Sequence, residues 1–221
     1  MQPKALLAIR SDIAASVESD YLAWLTREHT HERVGIKGFL SARVYRQQHA
    51  GFARFLILYE LSDADVVDDP AYLSRLNNPT PWTTRIMPNL ANFVRGGGPV
   101  SLALGKGYGT ALLVAEIDND AAVSHLQKAL TDLPGIIAIR ILKTDLEKTS
   151  VASNERNLRS GDRSFKTLML IDCLQNHPWR QTTGEAHREI PLLLKQGQPE
   201  IRASMYALIF HLCSDRAFGS D

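Results

Sequence analysis

Two histidines at the end of one helix, His29 and His31, offer the most direct chemistry in this sequence. An imidazole titrates near neutrality, so a His that faces a cleft can serve as general acid or base. His29 continues the row begun by Tyr21 and Leu25, one helical turn further on, which turns it toward the buried side. His31, two residues later, points to solvent. The plain alternative for His29 is a helix-terminal side chain favoured by the macrodipole. Other residues could join it. Glu60 ends an apolar strand and could orient an imidazole, or simply face water. Trp82 and Arg85 sit about one turn apart on a short helix, where they could wall a pocket and hold an anionic group. The ordinary reading packs Trp82 on a sheet and leaves Arg85 solvated. Arg43 and Tyr45 share one strand face and could reach the same cavity or the interface between the two halves. Glu28, Glu32 and Arg33 read as a solvated helix end.

No metal is expected: His29 and His31 lack the i, i+4 spacing of a helical ligand pair, and His177, His187 and His211 form no tight cluster. Neither a Ser-His-Asp nor a Cys-His signature is present. The glycine-rich residues 105–109 precede a strand rather than opening a helix, so they are no phosphate loop.

The elements that must position these groups follow from periodicity. Residues 4–10 are a short apolar run, hence a buried strand. Val17, Tyr21, Trp24, Leu25 and Glu28 recur at three- and four-residue spacing, the mark of one buried helical face. Asp12 or Ser16 could cap that helix, and Gly35 and Gly38 stop it. Residues 39–46 alternate as a half-exposed strand, and residues 52–61 form the next one. A helix is expected from Pro70, and a second where Thr80 caps and Pro81 takes the first position. Residues 89–95 make a fourth strand. Gly96-Gly-Gly-Pro99 then reads as a linker.

Beyond it the order returns: a strand at 110–117, a helix at 119–133, strands at 135–143 and 165–173, a helix at 184–194, and a last strand at 201–213. Residues 38–46 align without gaps on residues 135–143, sharing a Gly, an Arg and a closing basic residue, which favours an internal repeat. Pro81-Trp82 and Pro178-Trp179 lie at the same separation. The expected fold is α+β: two tandem ferredoxin-like βαββαβ halves packed sheet to sheet as a pseudo-dimeric α/β barrel. Residues 1–95 form the first half with the site, 96–108 a linker, 109–213 the second half, and 214–221 a loose tail. The polar residues 144–164 have no apolar period and are a lid or disordered.

Tyr21, Leu25, His29 and Gly38-Phe39 stand where the dimeric α/β-barrel superfamily, and within it the EthD-like proteins, carry an aromatic-rich helix end, a His and a Gly turn. Glu28-His29, Glu32-Arg33, Ala42-Arg43 and the Pro79 to Trp82 stretch also resemble a large uncharacterised bacterial branch of that superfamily. The resemblance implies a small apolar or aromatic ligand between helices and sheet. It implies cofactor-independent acid/base chemistry on a carbonyl or phenol compound: an isomerase, a dehydratase or lyase, or an oxygenase. Some relatives bind haem, but no axial ligand can be selected here, so no cofactor is expected. A non-catalytic ligand-binding or structural protein is the alternative.

Composition adds exclusions. Of 221 residues, 44% are hydrophobic and 22% charged, with a formal net charge of +1. That balance gives a basic-patch argument for nucleic acid no support, nor one for an anionic membrane. No apolar run approaches the ~20 residues of a membrane span. A cytoplasmic monomer or homodimer is expected, with Cys173 and Cys213 reduced and buried. Carrying the repeat register into the preceding helices sets Leu126 opposite His29, with His125 at the edge. A single site per chain, in the first half, follows.

Overall fold

The computed structural model describes residues 3–117, 130, 134–174 and 202–215. The chain divides into two compact units. The first comprises Met1–Pro99, Thr144–Phe165 and Ile209–Asp221, the second Val100–Lys143 and Lys166–Leu208.

In the first unit β1 (Ala5–Ala14) leads into a helix built of α1 (Glu18–Trp24), a π-helical turn (Leu25–His29) and α2 (Thr30–Val34). Strands β2 (Phe39–Gln48) and β3 (Phe52–Leu61) form a hairpin, α3 (Pro70–Asn77) and α4 (Pro81–Ile86) follow, and β4 (Ala91–Leu104) closes the sheet. The antiparallel order is β4-β1-β3-β2, with Ala5 opposite Leu61 and Leu7 opposite Tyr59. All helices lie on one sheet face. Tyr21, Trp24 and Leu25 pack there with Phe55, Ile57 and Tyr59 in a single buried cluster.

β1 runs four residues past the expected Arg10, so Asp12 is no helix cap. It is instead bridged to Arg54 of β3 at 2.6 Å and accepts a hydrogen bond from Asn92. The helix starts at Val17 without a side-chain cap. Thr80 and Asp69 do cap α4 and α3, each just ahead of a proline, as their types predict.

The glycine run at 96–98 and Pro99 is not a linker. It lies inside β4, Gly97 opposite Leu7 and Gly96 opposite Ala8. The composition serves close approach: a Cβ on Gly96 would stand 2.5 Å from the Phe165 ring and 2.6 Å from Thr144 Oγ1. Residues 144–165 therefore dock against β4, with Arg163 accepting from Arg95 N and donating to Phe93 O. The polar stretch is ordered around two single helical turns, Leu146–Thr149 and Asn154–Asn157, each capped by its preceding Asp145 or Ser153. Lys148 pairs with Asp65, and Asn154 bonds to Asn77.

The second unit holds β5 (Ala111–Ile117), β6 (Ile136–Lys143), β7 (Thr167–Cys173) and most of β8 (Arg202–Cys213), antiparallel in the order β8-β5-β7-β6. From Val100 on, β4 pairs with β6. Leu113, Ile139, Ile141, Met169 and Ile171 make its apolar cluster. The helices expected at 119–133 and 184–194, with His125, Leu126 and the Pro178-Trp179 match, lie outside the described residues. Ser214 N donates to Leu40 O at the end of β8. Cys173 is buried, whereas Cys213 is only half-buried, because the end of β8 is partly exposed. No helix among the described residues is long and apolar enough to cross a membrane.

The two hairpins share unusual features. Gly38 and Gly135 both have positive φ, 97° and 83°. Each is followed by a bulge, between Phe39 and Ser41 and between Ile136 and Ala138. Each glycine carbonyl accepts from the residue after the paired strand, Ser62 or Leu174. Arg43 reaches Glu60 at 2.9 Å, and Arg140 reaches Asp172 at 2.6 Å.

Candidate functional site

His29 sits at the last residue of the π-helical turn. A π turn admits one extra residue, and here it lets Trp24, Leu25 and His29 all turn inward. Thr30 sustains the wide turn by donating its hydroxyl to Leu25 O at 2.8 Å. The Trp24 ring lies tilted against the imidazole, 4.3 Å between centroids, and Trp24 Nε1 is fixed by Thr83 Oγ1 at 3.1 Å. An anchored aromatic thus packs against the imidazole.

It lines a cavity of about 110 Å³ within the first unit, between the helices, the sheet and residues 149–164. An engineered apolar cavity of roughly 150 Å³ takes benzene, so the space suits one ring or a few waters. Tyr59 from β3 and Arg33 from α2 also line it, with Tyr72 and Phe93 supplying aromatic wall. Among the described residues, His29 Nδ1, Arg33 Nη1 and the Tyr59 hydroxyl are buried and have no hydrogen-bond partner. Buried polar groups are nearly always satisfied, so three orphans around one cavity mark a place for a polar ligand.

Electrostatics fix their states. Burial, then the charges of Arg33 and Arg159, hold the His29 pKa well below 6.5, so the imidazole is neutral. Burial raises the Tyr59 phenol well above its usual range, although Arg33 pulls the other way, so it keeps its proton. Burial works against the Arg33 charge, but the Glu155 carboxylate, 2.5 Å away, more than offsets it and keeps the guanidinium protonated. The site thus offers a neutral base, a phenolic donor and a fixed cation. That combination can take a proton from an acidic phenol or enolisable carbon and stabilise the anion left behind.

The other sequence-selected residues do not join this cavity. Trp82 and Arg85 on α4 both bind Asp20 of α1, at 3.0 and 3.3 Å, and Arg85 is exposed. Arg43, Tyr45 and Glu60 lie on the opposite sheet face from Tyr59, by strand alternation. There Arg43 bonds to both Tyr45 and Glu60, and Ser41 donates to Glu60. Arg33 departs from its expected solvated position: it is 3% exposed. Its i+4 relation to His29 was the available signal. Tyr59, Arg95, Glu155 and Arg159 had no sequence signal as site residues. His31 is exposed. Among the described residues no group of His, Cys, Asp and Glu could hold a metal.

No family model and no curated protein sequence matches the chain. Its fold is shared with solved structures. An anthrone oxidase-like protein superposes with a TM-score of 0.62 at 11% identity, covering 97% of this chain and 94% of that one. A candidate monooxygenase from Fusobacterium nucleatum subsp. nucleatum superposes with a TM-score of 0.51 at 9% identity, covering 96% of each chain. These neighbours are of the dimeric α/β-barrel, ferredoxin-fold kind.

Proposed function

We propose that the protein is a cofactor-independent oxygenase of the dimeric α/β-barrel type acting on a small phenolic or enolisable carbonyl compound, with His29 as the base. The observation that carries this reading is the buried imidazole of His29, whose Nδ1 has no partner among the described residues, lining a ring-sized cavity beside Arg33 and Tyr59. His29 Nδ1 takes the proton from the substrate's hydroxyl or activated C–H. Arg33 and the Tyr59 hydroxyl hold the anion. When it is an enolate or a hydroquinone-type phenolate it passes one electron to molecular oxygen, the two radicals combine in a carbon–oxygen bond, and the proton held on His29 goes to the outer oxygen to give a hydroperoxide. The two arginine charges that depress the imidazole pKa are the ones that favour the product anion, so one field serves both ends of the transfer. With Glu155 on Arg33 the cavity, about 110 Å³, is smaller than a haem. The structural neighbours named for oxidase and monooxygenase chemistry lend support from outside the site. The paired hairpins favour a tandem of two βαββαβ halves, and the His29 to Phe39 pattern an EthD-like branch.

Oxygen uptake by the cofactor-free protein, measured over a panel of single-ring phenols and cyclic 1,3-diketones, tests the activity. Wild type should consume oxygen with at least one compound. His29→Ala should lower that rate about 10²–10⁴-fold with the circular dichroism spectrum unchanged. No uptake with any compound would favour a non-catalytic binding protein, and an unchanged rate in the variant would remove His29 from the chemistry.

A further inference from the structure

The cavity wall carries more positive charge than proton transfer at His29 requires. Five arginines and two carboxylates line it. Arg159 is engaged with Asp162 at 3.0 Å and stands over the Phe93 ring. Arg95 is turned to the Tyr72 hydroxyl at 3.0 Å and to the Thr149 carbonyl. Arg33 differs from both. It is almost wholly buried, yet among the described residues only Nη2 has a hydrogen-bond partner, Glu155 Oε2, while Nη1 has none. A guanidinium is a planar fork that matches a carboxylate through two parallel bonds, and half of this fork stands open.

The residue on the other half is not part of the sheet or of its helices. Glu155 arrives on the single helical turn Asn154–Asn157, 122 positions along the chain from Arg33. It is a tethered carboxylate standing where the acid group of a ligand would bind. Among the described residues, Arg33 Nη1, the Tyr59 hydroxyl and His29 Nδ1 are lining groups without hydrogen-bond partners.

We infer that this cavity is an anion site with a built-in competitor: it takes a single-ring hydroxyaromatic carboxylate, whose acid group replaces Glu155 on Arg33, and the turn bearing Glu155 is the gate that the exchange releases. This substrate class rests on the same cavity as the proposed activity and deepens it. The ring lies against Tyr72 and Phe93, and the ring hydroxyl faces His29 Nδ1. Displaced Glu155 moves with its turn toward water, among Arg156 and Arg159. Binding and opening are then one event, since the ligand supplies the counter-charge that the turn gives up.

Calorimetry with 4-hydroxybenzoate and its neutral counterpart 4-hydroxybenzamide, on the full chain, tests this directly. The acid should bind about tenfold or more tightly than the amide. Glu155→Gln removes the competitor and should tighten the acid about tenfold while leaving the amide unchanged. Arg33→Met should abolish the preference for the acid. Hydrogen exchange in the wild type should rise at residues 154–157 when the acid binds. Equal affinity for acid and amide, or a folded Glu155→Gln variant with unchanged affinity for the acid, would overturn the inference. Should Glu155→Gln fail to fold, Glu155→Asp draws the carboxylate back by one methylene and should shift acid binding the same way. Charge-selective binding without oxygen uptake would remove the oxygenase reading and keep the anion site. Turnover of neutral phenols with no preference for acids would do the reverse.

Discussion

The β2–β3 hairpin of the first unit and the β6–β7 hairpin of the second are built on one plan and differ where chemistry would sit. Both open on a glycine in the left-handed region, both bulge two residues later, and both bury an arginine–carboxylate pair on the same strand positions. The glycines are needed because an L side chain there is strained, and at Gly38 a Cβ would also stand 2.5 Å from Val66. On the other face the hairpins part. Glu60 and Asp172 are equivalent, so their preceding neighbours, Tyr59 and Ile171, are too. Tyr59 brings an unpartnered hydroxyl to a cavity, whereas Ile171 closes an apolar cluster with Leu113 and Ile139. The frame repeats. The polar cavity belongs to the first unit, which alone receives the 144–165 segment.

Breaking the shared feature should give the largest effect. Arg140→Met leaves the Asp172 carboxylate buried without its guanidinium in the second unit, with Gly109 N still donating to it, and Arg43→Met does the same to Glu60 in the first, where Ser41 remains its donor. Each should cost about 3–5 kcal/mol, read by urea unfolding. A loss under about 1 kcal/mol in either would show that the two pairs are not equivalent. A smaller effect separates the faces. Ile171→Tyr adds volume and a hydroxyl to a filled apolar cluster and should destabilise by about 1–3 kcal/mol. Tyr59→Phe removes only an unsatisfied hydroxyl, so stability should hold or improve while oxygen uptake falls. Equal losses from the two substitutions would erase the distinction between the faces.

The last effect disappears at working pH. His29 has a folded pKa lowered well below its ordinary 6.5. The unfolded chain therefore binds the extra proton first as pH falls, and this contribution to stability is complete above 6.5 and lost progressively below it. Wild type should lose stability on acidification below pH 6.5 more steeply than His29→Phe. Parallel curves would mean that the imidazole is not desolvated.

Much of this frame was legible in the residues. Thr80 and Pro81 announced α4, the Tyr21 to His29 spacing turned the imidazole inward, and the 38–46 and 135–143 match marked the paired hairpins. What was hidden depends on contacts distant in sequence. Arg33 looks solvated because helix-end arginines usually are, yet it stands over the Tyr72 ring and pairs with Glu155 from a segment that has no apolar period. Gly96 and its neighbours read as a linker because glycine also marks flexible chain. Their role as a flat surface for Phe165 and Thr144 exists only in the folded unit. The π turn has no local signature. Strand alternation fixes that Arg43, Tyr45 and Glu60 share a face, but not which face meets the helices, so the sequence alone leaves Arg43 and Tyr45 open between the His29 cavity and the interface between the halves.

The central claim is that His29 is a neutral, desolvated imidazole on a polar cavity. Its ring nitrogens can be followed by two-dimensional ¹⁵N NMR through a pH titration of the wild type, with His29→Ala supplying the assignment. The account predicts that His29 stays neutral through pH 6.5 and that its nitrogen shifts change when 4-hydroxybenzoate binds. An imidazole that titrates near 6.5 and ignores the ligand would contradict it.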